Sequence, residues 1–377
     1  MEYDYIIENA MVVDPGQGIH GVQTVGVGNG RIVAVSSEDS AKYLIDASGH
    51  YLFPGLIENH THLFYGAGDI GIPADLFLLP NGITSAIDYG SASYANFPLF
   101  YQTVIVPSQC SIRAYLNVFP TGIMANHIFE NTQPRDFNET AIEQVYKRYS
   151  NVLLGLKVRI EKGRGEDENL TSLKKTIEMS EKLGCPVAVH VKNPPAPLCD
   201  IAKLLRKGDV WAHIYQLQGE SFLDENGAVK EALWEAKRRG ILFDGASGRT
   251  GFTIKDIRTM LEQGFAPDLM GTDSVLQNFY KRPMFSLIYV MSLFLNLGME
   301  LDEVVRLCTV RPATIMGLDQ EIGTLTPGAR ADLSIFKLQE APTRFSDCYG
   351  DSFMGDRILI PKFTLKDGLV KYRSIDF

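Results

Sequence analysis

Cysteine is scarce in this chain, with five residues among 377. The five are scattered, odd in number, and no two of them have the CxxC spacing. Secreted domains that depend on a disulfide framework show the opposite pattern. Reduced thiols in a cytoplasmic protein are therefore the better interpretation.

Basic runs and long apolar runs are also missing. The net charge is −9, which argues against a nucleic-acid surface. The N-terminal stretch MEYDYIIENAMVVD is acidic and alternating, unlike a signal peptide. The most apolar stretch, residues 284–297, is too short for a membrane span and predicts a buried helix. We expect a cytoplasmic protein with neither nucleic-acid nor membrane partners.

The two ends of the chain share a β-rich character that the middle lacks. Asn29-Gly30 and Asp367-Gly368 are two-residue hairpin signals, each flanked by strand-forming residues. Residues 1–53 and 324–377 are therefore expected to build one small β-sandwich domain.

Between the two ends, residues 54–323 alternate short apolar strands with amphipathic helices. Eight strands are predicted, in the segment that enters His60 and over 83–90, 112–119, 151–160, 186–192, 209–215, 241–246 and 269–274. Eight strands with intervening helices are the pattern of a (β/α)8 TIM barrel, so the predicted fold class is α/β.

Residue types that bind metals fall where the predicted strands end. Active sites in such barrels lie at the carboxyl ends of the strands. Four of the seven histidines lie near such an end: His60, His62, His190 and His213. Asp273 ends the eighth strand, and Lys157 lies inside the apolar run LLGLKV. Each residue alone has an ordinary explanation, such as a core histidine, a helix cap or a salt bridge. Their coincidence favours a metal site.

With these residues in place, the chain resembles the amidohydrolase superfamily, the metal-dependent (β/α)8 hydrolases. The resemblance rests on IDASGHYLFPGLIENHTH and GITSAIDYGS in the first hundred residues and on TVRPATIMGLDQEIGTLTPGARADLSIF in the last seventy. Within the superfamily, the chain is most similar to the dihydroorotase-like members with two metal ions.

This resemblance implies two divalent ions, with zinc favoured, and six ligands: His60, His62, Lys157, His190, His213 and Asp273. The first two histidines and the aspartate would hold the more buried ion, and the other two histidines the second. Lys157 would be carboxylated by CO2 and bridge both ions, since burial favours the neutral amine that attacks CO2. A metal-bridging hydroxide would attack an amide, cyclic amide or ester bond of a small metabolite, with Asp273 as the catalytic proton carrier.

Two positions depart from the family pattern. Glu58 stands where the superfamily usually has Asp, and Phe64 stands where dihydroorotases carry an Arg that binds the substrate. Dihydroorotase activity is therefore not expected. The sequence leaves the substrate open among amides, cyclic amides and esters, and an N-acyl or O-acetyl carboxylate is one candidate. Two other functions stay open, a mononuclear-metal deaminase of a nucleobase-like substrate and a non-catalytic scaffold.

Strand alternation and loop position add candidates for substrate contact: Arg159, Lys192, Tyr215, Arg249 and His127. The first three lie two residues beyond a predicted ligand and so on the same face of their strands. The last two fall in loops after the seventh and third strands. The expected partner is a small molecule, and the sequence leaves open a homo-oligomer.

Overall fold

The structure is a computed structural model that describes residues 2–125, 130, 133–164, 167–246, 248 and 251–377. His127 and Arg249, two of the predicted substrate contacts, lie outside the described residues. The strands are β1 (Glu2–Asp14), β2 (Ile19–Gly28), β3 (Arg31–Val33), β4 (Ser40–Asp46), β5 (Tyr51–Pro54), β6 (Leu56–Thr61), β7 (Ile83–Ser93), β8 (Ser111–Asn117), β9 (Leu153–Ile160), β10 (Val187–Val191), β11 (Val210–Ala212), β12 (Leu242–Asp244), β13 (Leu333–Ser346), β14 (Ser352–Lys366) and β15 (Leu369–Arg373). The α-helices are α1 (Ala74–Leu78), α2 (Phe97–Phe100), α3 (Glu139–Arg148), α4 (Thr171–Leu183), α5 (Leu198–Leu204), α6 (Glu231–Arg238), α7 (Ile254–Glu262), α8 (Leu287–Asn296), α9 (Leu301–Leu307) and α10 (Val310–Ile315).

Strands from both ends of the chain form one mainly antiparallel sheet in the order β15-β14-β13-β5-β1-β2-β3, with β4 also paired to β1. The two ends meet where β13 pairs with β5, which places Leu333 opposite Pro54. All these strands belong to one hydrogen-bonded sheet, so their pairing does not distinguish the two sheets of the expected sandwich. Apolar residues from both ends, such as Val12 and Leu365, share its core.

Both predicted hairpin turns are confirmed. Asn29 and Gly30 have φ angles of 53° and 72° between β2 and β3. Asp367 and Gly368 have φ angles of 51° and 75° between β14 and β15. Positive φ at both positions matches the turn to the right-handed twist of the paired strands.

The middle of the chain forms a parallel sheet in the order β12-β11-β10-β9-β8-β7-β6, with neighbours consecutive in the chain. Helices such as α4 and α7 lie in the connections and bury one apolar face each. The apolar stretch predicted to be a buried helix is α8, in which nine of the ten residues are buried. In the described part of the chain, no helix is long and apolar enough to cross a membrane.

The eighth predicted strand, residues 269–274, is not a regular strand in the structure. It makes one bridge on each side, from Leu269 to Asp244 at the end of β12 and from Ser274 to Thr61 at the end of β6. The segment therefore lies between the last and the first strand of the parallel sheet, although the strand prediction itself was wrong.

Backbone hydrogen bonds join this segment to β6 and the residue just after it. The Asp273 amide donates to the His60 carbonyl at 2.7 Å, and the His62 amide donates to the Ser274 carbonyl at 3.2 Å. Gly271 allows this close approach, because a Cβ there would lie 2.7 Å from the His60 backbone nitrogen.

The buried Glu58 side chain reinforces these bonds. Its carboxyl group accepts from the Thr272 amide at 2.9 Å and hydroxyl at 2.9 Å, and from the His60 amide at 3.1 Å. One carboxyl group thus supports a short run of backbone hydrogen bonds.

A buried ion pair in the mainly antiparallel sheet offers a test of this fold. Lys366 Nζ lies 3.1 and 3.0 Å from the two oxygens of Asp332, and the side chains are 2% and 1% exposed. We expect Asp332→Ala to lower the free energy of unfolding by about 3–5 kcal/mol, since it removes the buried anion and leaves the ammonium with only the exposed Asp367 carboxylate. Urea denaturation measures the loss.

Two further variants complete this test. Asp367→Asn removes only the exposed neighbour of Lys366 and should cost about 1 kcal/mol or less. The double variant Asp332→Leu with Lys366→Met should recover most of the stability, because it removes both charges together. A single Asp332→Ala variant as stable as the wild type would contradict the analysis.

Candidate active site

The predicted ligands all lie toward the carboxyl ends of the parallel strands: His60 in β6, His62 just after it, Lys157 in β9, His190 in β10, His213 just after β11, and Asp273 in segment 269–274. Parallel strands present their carboxyl ends at one edge, so residues from distant parts of the sequence meet there.

The Asp273 carboxylate faces three imidazoles. Its Oδ1 lies 3.2 Å from His62 Nε2 and 3.5 Å from His60 Nε2, and its Oδ2 lies 3.8 Å from His213 Nε2. One ligand atom each from His60, His62 and Asp273 fall within 4.8 Å of one another, close enough to share one divalent ion. The His190 ring packs edge-on against His213, with 4.5 Å between the ring centroids.

Lys157 is buried beside this cluster. Its Nζ lies 5.1 Å from the centroid of the Tyr89 ring, and that ring stacks on His60 with centroids 3.8 Å apart. Among the described residues, the Lys157 amine has no hydrogen-bond partner. Gly90 makes room for the side chain, because a Cβ there would lie 2.8 Å from Lys157 Cγ. A buried amine in this state favours loss of its proton or binding of a further group.

Burial favours the neutral form of the His60, His190 and His213 imidazoles. It lowers the pKa of His60 and of His190 well below the ordinary histidine value, and it lowers the pKa of His213 to about 4. Neutral imidazoles are the form that binds metal ions.

The pKa values of Lys157 and Asp273 are also shifted in directions that suit metal binding. Burial, followed by the nearby charge of Arg159, lowers the pKa of Lys157 to about 8. Burial alone would raise the pKa of Asp273, but the hydrogen bond with His62 and the electrostatic interactions with the surrounding imidazoles outweigh it and lower this pKa. Asp273 is therefore a carboxylate, and part of the Lys157 population is a free amine near neutral pH.

Asp88 in β7 supports the His62 ring. It accepts hydrogen bonds from the Leu63 amide at 2.7 Å, the Ser91 amide at 2.8 Å and the Ser91 hydroxyl at 2.7 Å. The Ser91 hydroxyl lies 2.9 Å from His62 Nδ1, within hydrogen-bonding distance. Sequence reasoning missed Asp88, although an aspartate inside the predicted strand ITSAIDYG was a usable signal.

Asp244, the last residue of β12, is a second carboxylate that sequence reasoning missed. Its Oδ2 lies 2.6 Å from His60 Nδ1, and its Oδ1 accepts from the Ala246 amide at 2.9 Å. Both oxygens are thus used by groups of the site. Burial raises the pKa of Asp244 to about 7.

Positive side chains line the cavity at the centre. Arg159, Arg164 and Lys192 contribute to its walls together with the Glu161 carboxylate. Arg159 Nη1 donates to His190 Nε2 at 2.8 Å and lies 3.3 Å from Glu161. Two of the predicted substrate contacts, Arg159 and Lys192, therefore lie in the cavity wall.

Tyr215 lies elsewhere. Its ring is 1% exposed and packs 6.1 Å from the Phe294 ring of α8. β11 ends at Ala212, and His213 has a φ of 68°, so the strand alternation on which the prediction depended stops there. Gln216 lines the cavity instead, and sequence reasoning did not single it out.

Comparison with known proteins agrees with this geometry. Residues 51–370 match the amidohydrolase family. A deacetylase of Agrobacterium fabrum is 30% identical over 344 residues, which are 90% of this chain and 84% of that protein.

Two solved structures resemble the fold throughout. An adenine deaminase superposes with a TM-score of 0.88 at 25% identity, covering 99% of this chain and 100% of that one. A dihydroorotase superposes with a TM-score of 0.87 at 29% identity, covering 98% of each chain. From the family match, the chain belongs to the amidohydrolase family, whose members are hydrolases that generally depend on metal ions.

Proposed function

We propose that this protein is a binuclear metallohydrolase that removes an acyl group, such as acetyl, from a small carboxylate-bearing metabolite. The main support for this proposal is the convergence of His60, His62 and Asp273 beside Lys157, whose amine has no hydrogen-bond partner among the described residues. The deacetylase relative supports an acyl bond as the bond that is cleaved.

The side chains suit two divalent ions, and imidazole with carboxylate ligands favours zinc. His60, His62 and Asp273 would hold one ion. His190 and His213 would hold the other, and His213 Nε2 lacks a hydrogen-bond partner among the described residues. When bound, the two ions would supply Lewis-acid chemistry that activates water and polarises the scissile carbonyl.

Once carboxylated by CO2, Lys157 would supply an anionic oxygen ligand to the metal positions. The neutral amine attacks the carbon of CO2, a C–N bond forms as one C=O π bond opens, and the nitrogen loses a proton to water, which yields an anionic carbamate. The pKa of about 8 supports this step, because part of the amine is neutral near neutral pH.

Asp273 carries the proton during hydrolysis. Its side chain is 21% exposed, whereas His60 and His62 are 1% and 6% exposed, so the carboxylate faces the cavity. It accepts the proton of the attacking water and returns it to the nitrogen or oxygen that leaves with the rest of the metabolite.

The cations of the cavity wall select the substrate. A substrate carboxylate suits the cationic side chains of Arg159, Arg164 and Lys192, which line the cavity together with the Glu161 carboxylate. Arg159 donates to His190 Nε2 in the structure, and ligation of that nitrogen would leave this donor for the substrate.

The same proposal extends to the architecture. We propose that residues 54–323 form a closed (β/α)8 barrel with segment 269–274 in the eighth position. Residues 1–53 and 324–377 would form the small β-sandwich domain. The bridges on both sides of the segment and the sheet shared by both chain ends support this division. The free thiols suit a cytoplasmic location.

A mononuclear deaminase is the second candidate. It is favoured by the likeness to an adenine deaminase at a TM-score of 0.88 and by the three-residue cluster, which is sufficient for one ion. Release of ammonia from aminated nucleobases would support this candidate.

Metal content separates the two candidates. We expect about two zinc ions per chain in the wild type and at most one in Lys157→Ala, because the shared ligand is lost. Mass spectrometry of the dialysed protein measures both. Lys362→Ala, which changes a similarly buried lysine outside the site, should keep two ions. One ion in the wild type and in Lys157→Ala alike would favour the deaminase.

Asp273→Asn tests proton transfer. The amide keeps an oxygen toward the histidines but cannot accept a proton, so we expect metal to bind while kcat falls by about 10²–10⁴-fold. Steady-state assays on N-acetyl and O-acetyl carboxylates measure the loss. A metal-loaded variant with wild-type kcat would remove the role of Asp273.

Lys192→Met tests carboxylate recognition. A charge-assisted hydrogen bond is worth about 1.5–3 kcal/mol, so KM for an acetylated carboxylate should rise about 10–100-fold. The methyl ester of the same compound should be hydrolysed equally by both proteins. Lys203→Met changes an exposed lysine as a control. Equal losses on the acid and its methyl ester would contradict the assignment.

A further inference from the structure

We propose that Asp244 is a positioning residue that orients one ligand of each metal position, His60 of the first and His213 of the second. The inference rests on the binuclear centre proposed above and adds a residue that is not itself a ligand. Strand β12 would then serve the centre without contributing to its ligand set.

The contact with His60 sets which nitrogen of that ring is available. Asp244 Oδ2 lies 2.6 Å from His60 Nδ1, and the two side chains are 0% and 1% exposed, so water does not compete for this contact. The carboxylate form of Asp244 can only accept at this contact, so with it Nδ1 carries the proton and Nε2 keeps its lone pair. That lone pair is directed toward the cluster, where Asp273 Oδ1 lies 3.5 Å away.

The contact with His213 runs through the backbone. His213 Nδ1 donates to the Ala246 carbonyl at 2.9 Å, so its Nε2 also keeps a lone pair. The Ala246 amide in turn donates to Asp244 Oδ1 at 2.9 Å, and the Asp244 carbonyl accepts from the His213 amide at 3.1 Å. Asp244 therefore closes a ring of hydrogen bonds around the left-handed His213, whose φ is 68°.

A carboxylate is needed because both of its oxygens accept hydrogen bonds. In Asp244→Asn the side chain has nearly the same shape, but one of the two positions becomes an NH2 group. That group would face either His60 Nδ1–H or the Ala246 N–H, and two donors cannot pair. The substitution thus removes the hydrogen bond to His60 or the one to Ala246, with little change in side-chain volume.

The experiment measures zinc binding by the full-length apoprotein in competition with a chromophoric chelator, so no substrate is required. We expect Asp244→Asn to bind zinc about 10–100-fold more weakly than the wild type. The matched control is Asp209→Asn, a buried aspartate before β11 that accepts from the Val187 amide at 2.8 Å, at the opposite end of the strands. Its zinc affinity should stay within about twofold of the wild type.

The outcomes separate this inference from the proposed function. A folded Asp244→Asn protein that binds two zinc ions as tightly as the wild type overturns the role of Asp244 and leaves the binuclear centre intact. A wild-type protein that binds fewer than two ions contradicts the centre itself, and the inference falls with it.

A measurement on the wild type keeps the inference testable if the variant does not fold. We expect ¹⁵N spectra of histidine-labelled apoprotein to show His60 and His213 in the Nδ1–H form, assigned with His60→Gln and His213→Gln. An Nε2–H form for His60 would overturn the proposal, because Asp244 would then not set its tautomer.

Discussion

The Glu58 carboxyl group joins the segment that carries Asp273 to the strand that carries His60. It accepts from the amide of Thr272 on one side and from the amide of His60 on the other, and it lies beside the backbone hydrogen bond from Asp273 to His60. Burial raises the pKa of Glu58 to about 8, although the hydrogen bonds that it accepts oppose the rise. The position of Asp273 opposite the histidines is thus reinforced by a side chain that does not line the cavity.

The candidate ligands could be predicted from the sequence because their positions follow from chain direction alone. In a parallel sheet, a polar residue near the carboxyl end of an apolar strand lies at the same edge as the corresponding residues of the other strands, whatever its neighbours in the chain. His60, His190 and Lys157 lie on strands that the apolar pattern defines, and the structure brings them to one edge. The hairpins at Asn29-Gly30 and Asp367-Gly368 were predictable for a similar reason, since their backbone angles are local.

Other features required contacts that no local pattern encodes. The strand alternation that placed Tyr215 in the pocket fails at His213, whose positive φ redirects the chain. Segment 269–274 has a strand-like composition, but its backbone pairs only at isolated bridges, and a side chain from β6 adds hydrogen bonds between them. Asp88, inside β7, and Asp244, at the end of β12, supported no prediction. An aspartate in a strand marks a polar role, but only its partners, Ser91 and His60, show which role applies.

The pairing of β13 with β5 has a consequence for the order in which the protein can be built. Leu333 is opposite Pro54, so this part of the sheet can form only after nearly the whole chain has been synthesised. The strands of the parallel sheet become available before β13, and their pairings are between consecutive strands. During synthesis, the apolar residues of β1, β2 and β5 therefore lack their final packing partners. The unpaired edge of β5 stays exposed to aggregation until β13 has been made, whereas the strands of the parallel sheet can already pair.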